Sequence, residues 1–299
     1  MDEFFQIEGP DATAYLQRMV TNDILSMSVG EARHNALLDR KGMVLSLFCL
    51  VRIKEQSYLG IGNQLAVTRA QEVLKKFKIM EKVTITDVTT EWRLFQWVGL
   101  SSGGWLGSGA RPRATGEHGW AESETGPAAK CYHWQDNFYN QPIWNLLYPV
   151  GAYGDTPLPQ DLSPLSQTAF NLIRMESGIP EYGVDIDETH ILLEANLSHT
   201  YKRNKGCYPG QEVVERILAY GQGRTPKKLC SLYLEGQHSI PAKAEILDQN
   251  GSKVGETTSA LYNPLDQKTI VMGYLDQKQI SSQRPFQIGD NVLRLLESN

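Results

Sequence analysis

Residues 205–212 read Lys205-Gly206-Cys207-Tyr208-Pro209-Gly210-Gln211-Glu212, and this octapeptide carries more information about the fold and the chemistry than any other stretch. It places a cysteine in a loop with glycines on both sides and a lysine two residues earlier. Glycine permits a positive φ and the close approach of a ligand. A nearby ammonium favours the thiolate, which is the reactive form of cysteine. The alternative is a loop around a buried cysteine, because free cysteines are often buried.

The chain around this loop is basic. Between residues 202 and 228, seven basic side chains stand against two acidic ones, a local charge of +5 (7 − 2) in a chain whose formal net charge is −5. Such a cluster attracts an anion, whether phosphate, nucleic acid or a small carboxylate; the alternative is a solvated basic surface. Its basic members are Lys202, Arg203, Lys205, Arg216, Arg224, Lys227 and Lys228.

The whole chain has the composition of a globular protein. Its 299 residues, 41% of them hydrophobic, indicate two or three domains. No apolar run approaches the roughly 18 residues that cross a bilayer, and the start lacks the features of a signal peptide, so we expect a cytoplasmic protein. Cys49 and Cys230 lie in apolar segments and are expected in the core. No two cysteines have zinc-ligand spacing, which leaves Cys207 as the candidate for chemistry.

The hydrophobic pattern predicts alternating short elements. Strands are predicted at 4–8, 34–39, 43–53 and 82–88, and helices at 12–20 and 64–78. Residues 101–130 lack periodicity and are predicted to form a surface loop. In the strand-like stretch 132–148, Trp134, Phe138 and Trp144 are expected in the core rather than in a stacking platform. A third helix ends before Gly178, and the short strands after residue 227 predict a small antiparallel barrel.

The octapeptide resembles the K-G-C-[FY]-x-G-Q-E signature of the YgfZ family of folate-binding proteins. These proteins are relatives of the aminomethyltransferase, or T-protein, of the glycine cleavage system. Three further stretches resemble superfamily motifs in the same order along the chain. They are the G-P-D-A-x-x-Y-L-Q and T-N-D residues within 9–23, the R-x-E-x-G-x-P segment at 174–180, and the barrel motif at 254–259.

The resemblance implies an α+β chain with the three-domain aminomethyltransferase-like fold. In that fold two α/β domains, the second inserted in the first, surround a central folate site, and an antiparallel β-barrel follows at the C-terminus. We place the folate-binding domain at 1–50 and 153–224, the inserted domain at 51–152 and the barrel at 225–299. The cofactor would be tetrahydrofolate or another folate derivative.

The resemblance also implies site residues. Glu176 would contact the pterin, because a carboxylate accepts two hydrogen bonds from the N–H groups of an amino-pyrimidinone; the alternative is an exposed helix carboxylate. Phe170 matches a position where relatives place an aromatic ring against the folate. Arg174 and the basic cluster, including Arg216, would face the anionic glutamate tail. The signature residues beside Cys207 and Lys205 are Gly206, Tyr208, Gly210, Gln211 and Glu212.

One departure from the aminomethyltransferases bears on the activity. Those enzymes carry an Asp-Asp pair on the strand after the first hairpin, whereas residues 42–48 here read Gly-Met-Val-Leu-Ser-Leu-Phe. Aminomethyl transfer needs a group that polarises or deprotonates the amine, and Ser46 is a poor substitute. Asp39 precedes the turn and is interpreted as a turn residue. The sequence therefore disfavours aminomethyl transfer.

The YgfZ-like family implies a folate-dependent role in the assembly or repair of iron–sulfur clusters, especially in radical enzymes that modify tRNA. Cys207, tuned by Lys205, would act as a transient ligand or exchange thiols with a client protein. A lone cysteine does not hold a cluster, so no resident metal is expected. We expect a monomer with no independent turnover, whose partners are folate and iron–sulfur clients with an indirect link to tRNA. Two alternatives stay open: a folate-dependent aminomethyltransferase and an adaptor that contacts tRNA.

Overall fold

The computed structural model describes residues 2–98, 118–122, 130–150, 164–280 and 284–296. The chain forms two compact units. The first unit contains Met1–Leu37, Leu45–Gln167 and His199–Tyr208, and the second contains Leu38–Val44, Thr168–Ser198 and Pro209–Asn299. The octapeptide is therefore divided between the two units after Tyr208. Among the described residues, no helix is both long and apolar enough to cross a membrane.

The first unit is built on a five-stranded sheet with the order β2-β3-β4-β1-β5. Two amphipathic helices bury their apolar faces against it, and Tyr15, Leu16 and Leu74 lie with Phe5 and Leu50 in one core cluster. The elements are β1 (Asp2–Glu8), α1 (Ala12–Met19), β2 (Ala32–Leu38), β3 (Val44–Lys54), β4 (Ser57–Asn63), α2 (Gln64–Phe77) and β5 (Thr84–Asp87). The predicted elements of this region are thus confirmed, with shifts of a few residues at their ends.

A four-stranded sheet with the order β6-β9-β8-β7 completes the first unit. Its strands are β6 (Trp92–Val98), β7 (His118–Glu122), β8 (Lys130–Asp136) and β9 (Ile143–Pro149). Trp134 and Trp144 are buried, as predicted for core residues, whereas Phe138 is half-buried. The prediction of a loop throughout 101–130 was wrong at β7, which pairs antiparallel with β8 and obtains its hydrogen bonds there. The other residues of that stretch, up to residue 129, lie outside the described ranges.

The second unit contains the predicted barrel, which is closed in the order β10-β13-β12-β11-β14-β15. Leu232, Val271, Leu275 and Phe286 belong to its apolar core. The elements are α3 (Gln167–Glu176), α4 (Gln211–Tyr220), β10 (Lys227–Glu235), β11 (Glu245–Leu247), β12 (Lys253–Asn263), β13 (Lys268–Asp276), α5 (Gln277–Ile280), β14 (Phe286–Ile288) and β15 (Asn291–Leu295). The three-residue strand β14 was not predicted, because it is too short to show a period. The domain limits at 50, 152 and 224 stay predictions.

Candidate functional site

Cys207 lies at the surface of the first unit. It is an exposed free cysteine, whereas Cys49, Cys131 and Cys230 are buried. Gly206 has φ +105°, and a Cβ added there would meet no atom within 4 Å. Glycine is therefore needed for the backbone conformation and not for space. The bend leaves the Cys207 thiol accessible to a partner, while packing shields the other three thiols.

Lys205 holds the Cys207 loop on α1. Its ammonium is buried and donates to the carbonyl oxygens of Gln17 and Val20, each at 2.5 Å. These carbonyls lie at the negative C-terminal end of the helix. The Lys205 Nζ also lies 5.1 Å from the centre of the Tyr208 ring, and burial lowers the pKa of Lys205 to about 8. These contacts give Lys205 a structural role; tuning of the Cys207 thiol stays a prediction.

The whole segment 199–208, here called the strap, is fixed by residues of the first-helix motif. Gln17 Nε2 donates to the Lys205 carbonyl oxygen at 2.5 Å, which makes the contact between these two residues reciprocal. Thr21 donates to the carbonyl of Thr200 at 2.6 Å, and the Thr21 carbonyl accepts from the Lys202 amide at 3.1 Å. The first-helix motif and the strap, which are far apart in the sequence, thus meet in the first unit. The motif holds the strap in position.

The second half of the octapeptide begins α4 in the second unit. Gly210 has φ +79°, and a Cβ there would lie 2.6 Å from the carbonyl oxygen of Asp39. The Asp39 carboxylate accepts from the amides of Lys41 at 2.8 Å and Met43 at 2.9 Å. The interpretation of Asp39 as a turn residue is therefore confirmed, and only glycine fits opposite this turn.

Gln211 and Glu212 form the first turn of α4. Glu212 pairs with Arg216 at 2.5 Å, one helical turn later, and both side chains are largely exposed. Exposed pairs of this kind contribute little to stability. The contact gives no support to the predicted role of Arg216 in binding a folate tail.

The R-x-E-x-G-x-P segment forms the end of α3. Gly178, at φ +69°, donates from its amide to the Met175 carbonyl at 3.1 Å, and the Ile179 amide donates to the Arg174 carbonyl at 2.8 Å. These two hydrogen bonds form the Schellman motif, which requires a residue in the left-handed conformation after the helix. It fixes Glu176 as the last residue of α3.

Arg174 is buried in an ion-pair network that the sequence did not predict. Its guanidinium donates to Asp185 at 2.6 Å and lies 3.1 Å from the Glu181 carboxylate. The other Asp185 oxygen accepts from Thr258 at 2.5 Å and Ser259 at 2.6 Å. The described contacts thus account for the Arg174 guanidinium without a ligand. Its predicted contact with a glutamate tail has no support from them.

A β-bulge explains how two consecutive side chains reach Asp185. Successive side chains of a regular strand point to opposite faces. The pairing of β12 with β13 shifts between Thr257 and Ser259, so Thr258 is the extra residue and both hydroxyls turn to the same side. The barrel motif therefore has a structural task. No sequence pattern marked Asp185, because its partners come from distant segments.

Glu176 lines a cavity of about 740 Å³ within the second unit. Its carboxylate accepts from the Asn263 side chain at 2.9 Å. The basic residues of the wall are Lys228, Lys268, Arg284 and Arg294. The volume is in the range of small-molecule sites. One carboxylate with several cations matches a ligand that carries N–H donors at one end and carboxylates at the other.

Two further residues, Cys230 and Phe170, bear on what this cavity does. The Cys230 thiol lines it, but burial raises the pKa of Cys230 to about 11, so this thiol is inert at neutral pH. Phe170 lies six residues before Glu176 on α3, hence about 120° away around the helix. Phe170 is half-buried and is not among the residues that line the cavity. Its contact with a folate stays a prediction.

Tyr274 provides a second unusual polar group in the second unit. It is buried, and its hydroxyl has no hydrogen-bond partner among the described residues. The His190 ring stacks on it at 4.4 Å, and Lys227 Nζ lies 5.0 Å from its ring centre and 3.8 Å from the Glu194 carboxylate. Burial raises the pKa of Tyr274 and of Glu194. A buried unpaired hydroxyl costs about 1–3 kcal/mol, so this group is a further candidate for contact with a ligand.

Strand β3, where the resemblance predicted the absence of a catalytic carboxylate, has its one polar side chain at 42–48 buried in the packing. Ser46 on β3 is completely buried, and its hydroxyl donates to the Ala66 carbonyl at 2.7 Å. This bond satisfies the hydroxyl inside the first unit. Ser46 therefore does not replace a catalytic carboxylate.

Comparison with known protein families gives two matches. A model of the GCVT N-terminal domain matches residues 2–110, and a model of the glycine cleavage T-protein C-terminal barrel domain matches residues 227–291. An aminomethyltransferase of Porphyromonas gingivalis is 25% identical over 92% of this chain and 78% of its own length. One of Streptomyces avermitilis is 26% identical over 90% of this chain and 75% of its own.

A solved structure has the same fold. The glycine cleavage system aminomethyltransferase T from Bartonella henselae superposes with a TM-score of 0.76 at 17% sequence identity. The match covers 99% of this chain and 83% of that one. It confirms the predicted aminomethyltransferase-like fold with its C-terminal barrel.

Proposed function

Because the chain belongs to the glycine cleavage T-protein superfamily, we propose that it binds a tetrahydrofolate and acts as an accessory protein rather than as a transferase. In this proposal the folate serves the assembly or repair of iron–sulfur clusters in client proteins, including enzymes that modify tRNA. Cys207 is the functional thiol. The protein has little turnover of its own.

The position of Glu176 is the observation that carries the proposal. The Schellman motif fixes this carboxylate at the end of α3, where it lines the cavity of about 740 Å³. A pterin presents an amino-pyrimidinone edge with two N–H donors, which one carboxylate accepts together. The cations of the cavity wall, including Lys228 and Arg294, suit the carboxylates of the glutamate tail.

The exposure of Cys207 supports its role as a thiol offered to another protein. Three of the four cysteines are buried, so Cys207 is the one that a client protein reaches. Transient iron or sulfide ligation and thiol exchange both need such access. The reciprocal contact between Gln17 and Lys205 fixes the strap, which keeps the Cys207 thiol in a defined position on the first unit.

An aminomethyltransferase is the second candidate, because the curated relatives at 24–26% identity carry that name. The apolar stretch at 42–48 argues against it, since the only hydroxyl there, that of Ser46, is buried and bonded. A glycine-cleavage assay of the purified chain separates the two. The accessory role predicts no product above background, and turnover by the wild-type chain would establish the second candidate.

Substitution of Cys207 tests the thiol. Cys207→Ala is expected to abolish maturation of iron–sulfur enzymes in a strain that lacks the wild-type chain, because the accessible thiol is lost. Folate affinity should change less than about twofold, because Cys207 is not among the residues that line the cavity. Cys230→Ala is the matched control, because that thiol is buried and should not be required. Full maturation with Cys207→Ala would remove the thiol from the proposal.

A further inference from the structure

The turn after α2 exposes a group of apolar side chains. Ile79 and Met80 are 85% and 89% exposed, and Phe77 is 45% exposed. The buried face of α2 consists of Ala66, Val67, Ala70 and Leu74, so Phe77 lies outside it. A single exposed apolar residue needs no explanation, whereas three within four positions indicate a contact surface. We call residues 75–82 the exit turn.

Hydrogen bonds hold the exit turn in one conformation. The Glu81 carboxylate accepts from the amides of Ile79 at 3.0 Å and Met80 at 3.1 Å, and its other oxygen accepts from Arg18 of α1 at 2.7 Å. The Lys82 amide donates to Asp11 at 2.7 Å. The two apolar side chains therefore stand on a fixed backbone, which lowers the entropy cost of docking.

The exit turn is strongly basic. Lys75, Lys76, Lys78 and Lys82 stand against Glu81, which gives +3 (4 − 1) within eight residues of a chain whose net charge is −5. The Lys75 ammonium donates to Gln71 at 3.0 Å, and Lys78 donates to the Val83 carbonyl at 3.0 Å. Neither partner is anionic, so the charges of these lysines attract an acidic surface.

We propose that the exit turn is a docking site for an acidic protein surface with an apolar depression. Ile79 and Met80 enter the depression, and the lysines contact its acidic rim. Methionine adapts to irregular apolar sites, and complementary rim charge speeds the encounter and fixes its orientation. Burial of only two such side chains suits a transient contact. This surface lies in the first unit, and none of its residues lines the cavity that contains Glu176.

The geometry favours a protein partner over an anionic membrane. A helix that lies on a membrane presents a continuous apolar stripe to the lipid. The stripe of α2 is already used in the core of the first unit, where Val67, Ala70 and Leu74 pack with the sheet. Only the short turn protrudes, and a pocket in a protein encloses such a protrusion better than a lipid surface does.

Photocrosslinking tests the proposal. We would replace Ile79 with p-benzoylphenylalanine in the full chain and irradiate living cells. The matched control carries the same residue at Leu265, which is 90% exposed and lies in the second unit. The Ile79 probe is expected to give a discrete protein adduct that is identified as acidic by mass spectrometry and is missing from the Leu265 probe.

Charge reversal completes the test. Lys75→Glu, Lys76→Glu and Lys82→Glu together should lower the adduct yield roughly tenfold, because rim charges control the encounter rate. These lysines are exposed, so only a small loss of stability is expected from negative charge in the last turn of α2, and a cooperative unfolding transition verifies the fold. A persistent adduct, the same adduct from Leu265, or no adduct would overturn the proposal. So would Ile79-dependent cosedimentation with phosphatidylglycerol vesicles.

Discussion

Glu176 and Asp185 are two carboxylates of the second unit that the fold uses differently. Asp185 is completely buried, and both of its oxygens accept bonds from protein groups, including Arg174. Glu176 lines the cavity and has Asn263 as its described partner. The Glu176 carboxylate also lies at the C-terminal end of a helix, where the helix dipole makes a negative charge unfavourable. Asp185 is therefore part of the buried packing, whereas Glu176 is the carboxylate that we propose as the ligand contact.

The first prediction concerns Glu176→Gln. The amide oxygen of glutamine can still accept from Asn263, so the free energy of unfolding should change by less than about 1 kcal/mol. Urea unfolding followed by circular dichroism measures this change. A loss of several kcal/mol would show that Glu176 has a structural role instead.

Asp185→Ala should behave in the opposite way. It leaves the Arg174 guanidinium buried without its principal partner, and removal of one member of a buried ion pair costs about 3–5 kcal/mol. The same unfolding experiment should show this loss in the second unit, with Glu176→Gln as the matched carboxylate control. A loss below 1 kcal/mol would contradict the role given to the network.

At the scale of elements, the strap carries the exposed Cys207 and is anchored by buried groups. The His199 ring stacks on Phe138 with centroids 3.7 Å apart, and Asn22 donates to the His199 carbonyl at 3.0 Å. Burial holds the pKa of His199 well below its usual range. The neutral ring is therefore part of the packing that fixes the strap.

This anchoring predicts an acid-sensitive first unit. Below the ordinary histidine pKa of about 6.5, the unfolded chain binds a proton at His199 that the folded chain does not. Stability should then fall as pH decreases below about 6.5, by up to about 1.4 kcal/mol per pH unit from this group. His199→Phe keeps a ring against Phe138 and removes the titration, so its unfolding free energy should depend less on pH.

Urea unfolding between pH 7.5 and 5.5 measures that difference. His34, whose Nε2 lies 3.1 Å from the Asp136 carboxylate, is the titratable neighbour of His199 and is present in both proteins. The comparison therefore reports the titration of His199 together with its electrostatic coupling to His34. Parallel pH profiles of the two proteins would contradict the role assigned to its buried ring.

The elements show what local sequence predicts and what it does not. Helices α1 and α2, the β2–β3 hairpin and the barrel follow from periodicity and turn residues, which are local signals. The reciprocal contact between Gln17 and Lys205 joins residues 188 positions apart, so no local pattern reveals it. The surroundings of Tyr274 and the network around Asp185 also join residues that are far apart in the sequence, so local patterns do not predict them.

At the scale of the whole molecule, the chain has the aminomethyltransferase-like fold. The solved relative covers 99% of the chain, and both terminal domain models match. The stretch at 42–48 nevertheless contains no carboxylate, and Ser46 is used in packing. The proposal therefore combines the folate ligand of this fold with a use other than aminomethyl transfer.

Calorimetric titration of tetrahydrofolate into the wild-type chain and Glu176→Gln tests the central claim most directly. The wild type is expected to bind, and Glu176→Gln to bind at least about tenfold more weakly, because a charge-assisted hydrogen bond contributes about 1.5–3 kcal/mol. The control Glu245→Gln, at an exposed carboxylate paired with Lys253 on the barrel, should bind like the wild type. Equal affinity of the wild type and Glu176→Gln, or no binding by the wild type, would contradict the account.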